Sequence, residues 1–482
     1  MVKLNQILKE TKFISLVGKD DICVSDITCN SRDVESGSIF VCIKGFKTDG
    51  HKYIGDAVSR GASCIVVTDD IQVPEVSVVK VKDARKAMAE MAASLYGHPS
   101  LEIKVIGITG TNGKTTTSHL IKSIIEMAGG KTGLIGTNSI IIDGKETASE
   151  RTTPESCLFQ KYLRQMADSG AKYCITEVSS HSLELSRVDC THFAAAVFTN
   201  LTHEHLDLHG SMENYAAAKA KLFEMCDIAI MNADDSYSMD IAAKTSCEKV
   251  YSYSSKNKKA DYFASDIKLS EKGIIYNFNH KKGVSPLKSH IHGMFNVYNS
   301  LAAAAVCSAL GFSDEEIAKG LIISKGAKGR AEFLHINAPF SVMIDYAHTP
   351  DGLYNILKTV KEFATGRIIT VFGAPGDRDR SKRPEMGEIA GNYSSFCIIT
   401  SDNPASEKAE DIIEEIKPGM LRSGCEFTTI VDRKEAIHFA LDMAKENDIV
   451  LLAGKGHENY QITSEGKVPF SEEEIVKEYF LR

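Results

Sequence analysis

Gly107-Ile-Thr-Gly-Thr-Asn-Gly-Lys-Thr-Thr-Thr117 is the stretch on which the reading of this chain turns. It follows an apolar, β-branched run at residues 103–108 and leads into an amphipathic pattern with Leu120, Ile121, Ile124 and Ile125 on one face. In such a strand, glycine turn and helix, backbone N–H groups and a helix N-terminus together cradle phosphate oxygens. Lys114 is placed to reach the outer phosphates of ATP, and the Thr115 hydroxyl to ligate Mg²⁺. Gly110, Thr111, Asn112, Gly113 and Thr116 complete the ATP-binding loop. The spacing departs from strict G-x-x-x-x-G-K-[ST], because position 108 is Ile. The alternative, a glycine turn that happens to precede a helix, leaves the complete Gly113-Lys114-Thr115 ending without a reason.

Outward from this loop the chain alternates strand and helix, which makes it α/β. Residues 38–43 and 62–67 read as short strands around a helical pattern at 53–60. Apolar strands recur at 172–177, 192–200 and 228–232, and the Ala-rich stretch 296–310 reads as one long buried helix. A polar, Lys-rich segment at 252–259 reads as a surface excursion. Beyond Gly329 one pattern repeats four times, an apolar strand and then a polar loop. The strands are 341–344, 368–372, 396–400 and 449–452. Their loops hold Asp345-Tyr-Ala-His348, the Gly373 to Arg383 segment, Asp402-Asn-Pro-Ala405 and Gly454-Lys-Gly-His-Glu458. In open parallel sheets ligands sit beyond the carboxyl ends of the strands, so these loops can converge on one crevice.

At 482 residues, 43% hydrophobic and 25% charged, the composition is that of a globular protein. One domain per ~150 residues suggests about three. No run approaches the roughly 20 apolar residues of a membrane span, and the N-terminus has no signal-peptide core, so a cytoplasmic enzyme without membrane insertion is expected. A net charge of −8 argues against nucleic acid as a partner and for small molecules. The twelve cysteines form no Cys-x-x-Cys pair and read as reduced structural residues.

Two further segments carry candidate metal ligands. Glu177 ends a strand expected beside the phosphate loop, where a nucleotide enzyme needs an acid for Mg²⁺, and Val178-Ser-Ser-His181 follows it. Thr199-Asn-Leu-Thr-His-Glu-His-Leu-Asp-Leu-His-Gly210 is denser. His203, His205 and Asp207 match part of a zinc-hydrolase His-x-His-x-Asp-His pattern, but Leu208 breaks it. Oxygen-rich Mg²⁺ coordination by Thr115, Glu177 and His205 accounts better for a site that also holds ATP.

Taken in order, these segments resemble the Mur ligases, and among them the ligases that add the third amino acid to UDP-N-acetylmuramoyl-L-alanyl-D-glutamate. The resemblance runs nearly end to end. It rests on Asn30-Ser-Arg-Asp33, Gly37-Ser-Ile-Phe40 and Asp49-Gly50, and on the phosphate loop with Thr152-Thr153, Glu177-Val-Ser-Ser-His181 and Arg187. It continues through Asn200 to Asp207, Ala217-Ala-Lys219 and His292-Gly-Met-Phe-Asn296. Gly329-Arg330, Asp345 to Pro350, Gly376-Asp-Arg-Asp379, Asp402 to Ala405 and Gly454 to Glu458 complete it. The fold it implies is a three-domain Mur ligase architecture: residues 1–98 for the UDP-substrate, a central P-loop ATPase domain at 99–328 and a Rossmann-like domain at 329–482. It places Ser31, Thr152, Thr153, Ser179 and Arg187 on the UDP-linked substrate, and Asn296, Arg330 and Asp345 on ATP. Lys114, Glu177, His205 and Lys219 would be catalytic. Lys219 would carry a CO₂-derived carbamate (N6-carboxylysine) and join Thr115, Glu177 and His205 as a metal ligand. A monomer peptidoglycan-precursor ligase is the implied enzyme.

The chemistry so implied is amide formation through an acyl phosphate, in which positive charge at the phosphate loop holds two anions together. Arg378, Asp402, Asn403, Pro404, Ala405, Gly454 and Glu458 would hold the incoming amino acid. In relatives specific for meso-diaminopimelate the last residue of the Asp-Asn-Pro loop is Arg, whose fork suits a second carboxylate. Here it is Ala405, which points to L-lysine, with meso-diaminopimelate or L-ornithine as alternatives. A phosphate-loop kinase or ATPase, or a folylpolyglutamate synthase-like ligase, are more distant readings.

Overall fold

In the strand Lys104–Thr109 every residue after Lys104 is buried, as a parallel strand covered on both faces requires. Tyr173–Glu177 and Phe193–Phe198 flank it in parallel register, pairing Glu177 with Ile108 and Phe198 with Thr109. The computed structural model describes residues 2–45, 48–202, 209–270 and 272–481. It divides into two compact units, Met1–Tyr253 with Ala302–Ile317, and Ser254–Leu301 with Ala318–Arg482.

Besides the short antiparallel pair of Val2–Lys3 and Cys23–Val24, the first unit contains two larger sheets. In the smaller, Ser15–Val17, Ser77–Lys80, Cys64–Val67, Ile39–Val41 and Ile27–Thr28 lie side by side, with only the first pair antiparallel. Helix Ala84–Leu95, capped by the Asp83 carboxylate, buries Ala87, Met88, Met91 and Ala92 in the core of this sheet. The helix also packs on Ser156–Asp168. Burial pushes the Cys42 and Cys64 thiols up to about 12, which makes them inert hydrophobes.

The larger sheet runs Lys145–Ala148, Ser139–Ile142, Thr132–Ile135, Tyr173–Glu177, Lys104–Thr109, Phe193–Phe198, Ile228–Asn232 and Lys249–Ser254. From Thr132–Ile135 onward all neighbours are parallel, so the carboxyl ends of six strands share one edge. The expected surface excursion at 252–259 needs correction. Its first residues end the strand Lys249–Ser254, and Tyr253 is buried with its hydroxyl donating to the Phe198 carbonyl at 3.1 Å. Only residues 256–259 are fully exposed. Lysines of the turn masked a strand whose tyrosines and serines alternate.

The second unit opens with an antiparallel meander, Tyr262–Ser270, Gly273–His280 and Gly283–Ser289. The sequence gives it little signal, because its outward face is rich in Lys, Asn and His. A six-stranded sheet follows in the order Glu332–Phe333, Ser341–Asp345, Ile449–Ala453, Ile368–Phe372, Phe396–Ile399 and Phe427–Thr429, parallel except for the first pair. Its central strands are the four apolar runs of the repeating pattern. Among the described residues no helix is long and apolar enough to cross a membrane.

Candidate active site

Strand Lys104–Thr109 ends four residues before helix Lys114–Met127 begins. Gly110 has φ +148°, and a Cβ there would lie 1.9 Å from Thr199 Oγ1. The loop backbone is pinned from the neighbouring strand end. Thr199 Oγ1 donates to the Asn112 carbonyl at 2.7 Å, and the Asn200 side chain accepts from Asn112 N at 2.9 Å and donates to its carbonyl at 3.1 Å. Thr202 N donates to Thr111 Oγ1 at 3.0 Å. Thr199 and Asn200, read in sequence as the lead-in to a histidine cluster, thus shape the phosphate loop.

Lys114 Nζ folds back onto the Gly110 and Thr111 carbonyls at 2.9 and 2.7 Å. Lys219 Nζ also donates to the Gly110 carbonyl, at 2.9 Å, and lies 4.5 Å from the Tyr215 ring centroid. Its side chain is 1% exposed, so Lys219 is no solvated helix lysine. Two cationic side chains share one carbonyl oxygen beside the phosphate loop. By contrast, Lys221 pairs at the surface with Glu184 at 2.9 Å.

Glu177 is fully buried at its strand end. Its Oε2 accepts from Thr115 Oγ1 at 3.0 Å and from Thr137 Oγ1 at 2.9 Å, and its Oε1 from Thr137 N at 2.9 Å. Thr152 Oγ1 lies 3.1 Å from Thr137 Oγ1. Thr137 does not stand out in sequence; the only signal is its place two residues beyond the strand Thr132–Ile135, at the same sheet edge as Glu177. Hydroxyl and carboxylate oxygens at this spacing suit a hard cation such as Mg²⁺. His205, with His203, Glu204 and Asp207, lies outside the described residues. His209 is turned to structure: its ring stacks on Tyr215 at 4.9 Å and bonds Ser180 Oγ at 2.9 Å.

The residues expected on the UDP-linked substrate all lie in the first unit. Thr153 Oγ1 donates to the Glu177 carbonyl at 2.8 Å and accepts from Ser179 N at 3.2 Å, and Arg187 donates to the Thr153 carbonyl at 3.1 Å. Burial pushes the Arg187 guanidinium down, against the pull of Glu155 at 2.9 Å. Glu155 also pairs with Arg85 at 3.3 Å, and Lys161 pairs with Asp26 at 2.5 Å, tying the N-terminal sheet to this helix start. Ser31 is buried in a short turn capped by Asn30, whose side chain accepts from Arg32 N at 3.2 Å.

In the second unit Asn296 is buried and donates to the His292 carbonyl at 2.8 Å. Asp345 accepts from Ala331 N at 2.7 Å and Ala347 N at 2.8 Å, while burial raises its pKa. Arg330 lies over the Tyr346 ring at 4.6 Å. The Asp402 to Ala405 loop and the Gly454 to Glu458 loop meet. Lys455 Nζ donates to Asn403 Oδ1 and to Glu458 Oε2, both at 2.7 Å, and Asn403 Nδ2 donates to Glu458 Oε2 at 2.9 Å. Asp402 is 3% exposed, and its Oδ2 has no hydrogen-bond partner among the described residues. Burial and the nearby Arg330 hold His457 down at about 4. Ala405 sits at φ +53°, and Pro404 O is packed so closely on Gly376 that a Cβ there would lie 1.9 Å away. Arg378 is exposed on the facing loop.

Three family models match in chain order: the Mur ligase family catalytic domain at residues 24–96, the Mur ligase middle domain at 108–307 and the Mur ligase glutamate ligase domain at 329–456. The UDP-N-acetylmuramoyl-L-alanyl-D-glutamate–2,6-diaminopimelate ligase of Clostridioides difficile is 44% identical over 479 residues, 99% of each chain. The ligase of the same name from Clostridium perfringens is 44% identical over 480 residues, 98% of each chain. A solved structure of such a diaminopimelate ligase superposes with TM-score 0.71 at 31% identity, covering 99% of this chain and 98% of that one. A folylpolyglutamate synthase of Mycobacterium tuberculosis shares the fold alone, with TM-score 0.63 at 18% identity over 76% of this chain and 92% of that one. The architecture is therefore the three-domain one of the ATP-dependent Mur ligases. The expectation of L-lysine as amino-acid substrate does not stand, because these relatives are ligases of diaminopimelate. Ala405 removes one cation, whereas specificity sums every charge around the loop, and most of those come from residues distant in sequence.

Proposed function

The chain belongs to the Mur ligase family, and from that premise we propose that it joins meso-diaminopimelate to the D-glutamate of UDP-N-acetylmuramoyl-L-alanyl-D-glutamate, cleaving ATP to ADP and phosphate. The observation that carries this reading is 44% identity across 99% of the chain to a ligase of that name. In the reaction, an oxygen of the D-glutamate carboxylate attacks the γ-phosphorus of ATP and ADP leaves. The amine nitrogen of diaminopimelate then attacks the acyl carbon, phosphate leaves, and the nitrogen gives up a proton.

Gly110 to Thr116 hold the triphosphate in this reading, with Lys114 turning from the Gly110 and Thr111 carbonyls to the outer phosphates. The first-turn N–H groups of helix Lys114–Met127 add a fixed partial positive charge that costs no reorganisation. Mg²⁺ held by Thr115 Oγ1 and the Glu177 carboxylate, with His205 as a further ligand, would neutralise phosphate charge. Asn296, Arg330 and Asp345 are further ATP contacts. Ser31, Thr152, Thr153, Ser179 and Arg187 take the UDP-linked substrate. Arg378 takes the α-carboxylate of the amino acid, while Asp402, Asn403 and Glu458, with the Pro404, Ala405 and Gly454 backbone, line its side chain.

Lys219 is proposed as a carbamate. Its Nζ is buried beside the phosphate loop, 2.9 Å from the Gly110 carbonyl; loss of a proton from the Lys219 ammonium, bond formation between Nζ and the carbon of CO₂, and loss of a second proton from that nitrogen would place a metal-binding anion there. Intact mass measured in bicarbonate buffer should show one added CO₂ in the wild type that Lys219→Arg lacks; identical masses would count against the modification.

The substrate reading is tested by ligation with the UDP-linked dipeptide, ATP and each amino acid in turn. We expect turnover with meso-diaminopimelate to exceed that with L-lysine or L-ornithine by at least ~100-fold in kcat/KM, the scale that a missing charged partner can impose. Equal or faster turnover with another amino acid would refute it.

A further inference from the structure

Diaminopimelate bears a carboxylate and an ammonium group at each end, so a pocket that selects it must offer a cation to the distal carboxylate as well as an anion to the distal ammonium. The anion is at hand in the buried Oδ2 of Asp402, which has no hydrogen-bond partner among the described residues. Ala405 brings no charge, and most cations around its loop are committed. Arg383, 1% exposed, is held by Glu407 at 2.8 Å and Glu415 at 2.7 Å. Arg380 reaches the same two carboxylates at 2.9 and 3.3 Å. Lys455 is bound to Glu458 at 2.7 Å, and Arg433 to Glu472 at 2.8 Å in full burial. Three exposed cations near the loop have no carboxylate at ion-pair distance among the described residues: Arg378, Lys467 and Lys408, the last at the start of helix Ala409–Ser423.

Arg378 and Lys467 flank the loop from different elements. Arg378 follows Asp377, whose carboxylate takes the Ser406 hydroxyl at 2.5 Å. Lys467 lies on the hairpin of Tyr460–Thr463 and Gly466–Pro469, which is bonded to the loop through Ile462. Ile462 N donates to Asn403 Oδ1 at 2.9 Å, and Ala405 N donates to the Ile462 carbonyl at 3.0 Å. Lys467 stands opposite Ile462 in the hairpin register, so its side chain leaves the same face as Ile462 and Tyr460. Its Nζ lies 4.0 Å from the Tyr460 ring centroid, and Lys455 Nζ lies 5.6 Å from the same ring. Tyr460 thus links Lys467 to the Asn403, Lys455 and Glu458 network. A ring face holds an ammonium group without neutralising it, which leaves its charge for a ligand.

We propose that Lys467 receives the distal carboxylate of diaminopimelate, in the place that Ala405 leaves uncharged, and is a specificity-determining residue of the ligation. The substrate's two carboxylates then meet two uncommitted cations, Arg378 at the reacting end and Lys467, which the hairpin joins to the loop, at the far end. This inference rests on the diaminopimelate reading above.

The test compares wild type, Lys467→Met and Lys467→Arg, at saturating ATP and UDP-linked dipeptide, with meso-diaminopimelate. L-lysine, which lacks the distal carboxylate, serves as second substrate or, without turnover, as competitive inhibitor. Lys467→Met should raise KM for diaminopimelate by roughly 10- to 50-fold with kcat within about twofold, as loss of one charge-assisted contact does. The Lys467→Arg KM should stay within about threefold of wild type, and the L-lysine constant should be unchanged or improved. An unaltered diaminopimelate KM in Lys467→Met, or an equal loss with L-lysine, would overturn the assignment; the second outcome would put Lys467 at the α-carboxylate. Lys467→Gln, judged by the same criteria, replaces Lys467→Met should that variant lose its wild-type melting midpoint. A wild type that does not turn over diaminopimelate would fell the substrate reading and this inference together, whereas a wild type that does, with an indifferent Lys467→Met, would fell this inference alone.

Discussion

Gly110 bears more of the phosphate loop's function than its lack of a side chain suggests. Its carbonyl accepts from both Lys114 and Lys219, and its Cα faces Thr199 so closely that a methyl group would lie 1.9 Å from Oγ1. Gly110→Ala must therefore shift either the loop or the Thr199 and Asn200 strand end that holds Asn112 in place. A displacement of about 1 Å in a phosphate cradle costs on the order of 100-fold, so kcat/KM for ATP should fall by at least that much. Steady-state turnover at varied ATP checks it, and a wild-type kcat/KM in Gly110→Ala would show that the contact with Thr199 does not set the loop.

Where parallel strands end, buried charges join one element to the next. Arg433, at the start of helix Arg433–Met443, donates to the carbonyls of Ser401 and Ala453 at 3.1 and 2.7 Å. It also pairs with Glu472 of helix Glu472–Phe480, and both side chains are fully buried. One guanidinium thus links two strand ends and two helices just behind the Asp402 and Gly454 loops. Arg433→Ala would leave Glu472 buried without its cation, and since burial already raises the Glu472 pKa, that carboxyl would take up a proton. Breaking a buried pair on one side costs about 3–5 kcal/mol, so the urea midpoint of Arg433→Ala should drop accordingly. A midpoint within error of wild type would mean that the pair contributes nothing net. Glu472→Gln keeps the shape but leaves the Arg433 guanidinium buried without its anion, so its midpoint should drop as well.

At the scale of the whole molecule, ATP cleavage that serves amide formation should wait for the amine. Phosphate release measured with UDP-linked dipeptide alone should proceed at no more than a few per cent of the rate with meso-diaminopimelate present, because the acyl phosphate is kept from water. Comparable rates would mean an uncoupled ATPase. Much of the architecture behind this expectation is legible in the sequence. Residues 228–232 and 368–372 are strands with the bounds read from their apolar runs, and the phosphate loop sits between strand and helix as its glycines require. The meander at 262–289 escaped because its polar outer face breaks the apolar pattern, and the choice of L-lysine failed because it rested largely on Ala405. By itself the sequence determined the chemistry whose parts are contiguous: a phosphate loop, an acid at a strand end, and strand-end loops in a fixed order. Only the tertiary structure decided that Thr137 clamps Glu177, that Lys219 is buried against Gly110, and that a hairpin brings Lys467 to the loop of Ala405. The physical reason is that parallel strands gather residues far apart in the chain at one edge, and charge at that edge is a property of the gathering rather than of any one segment.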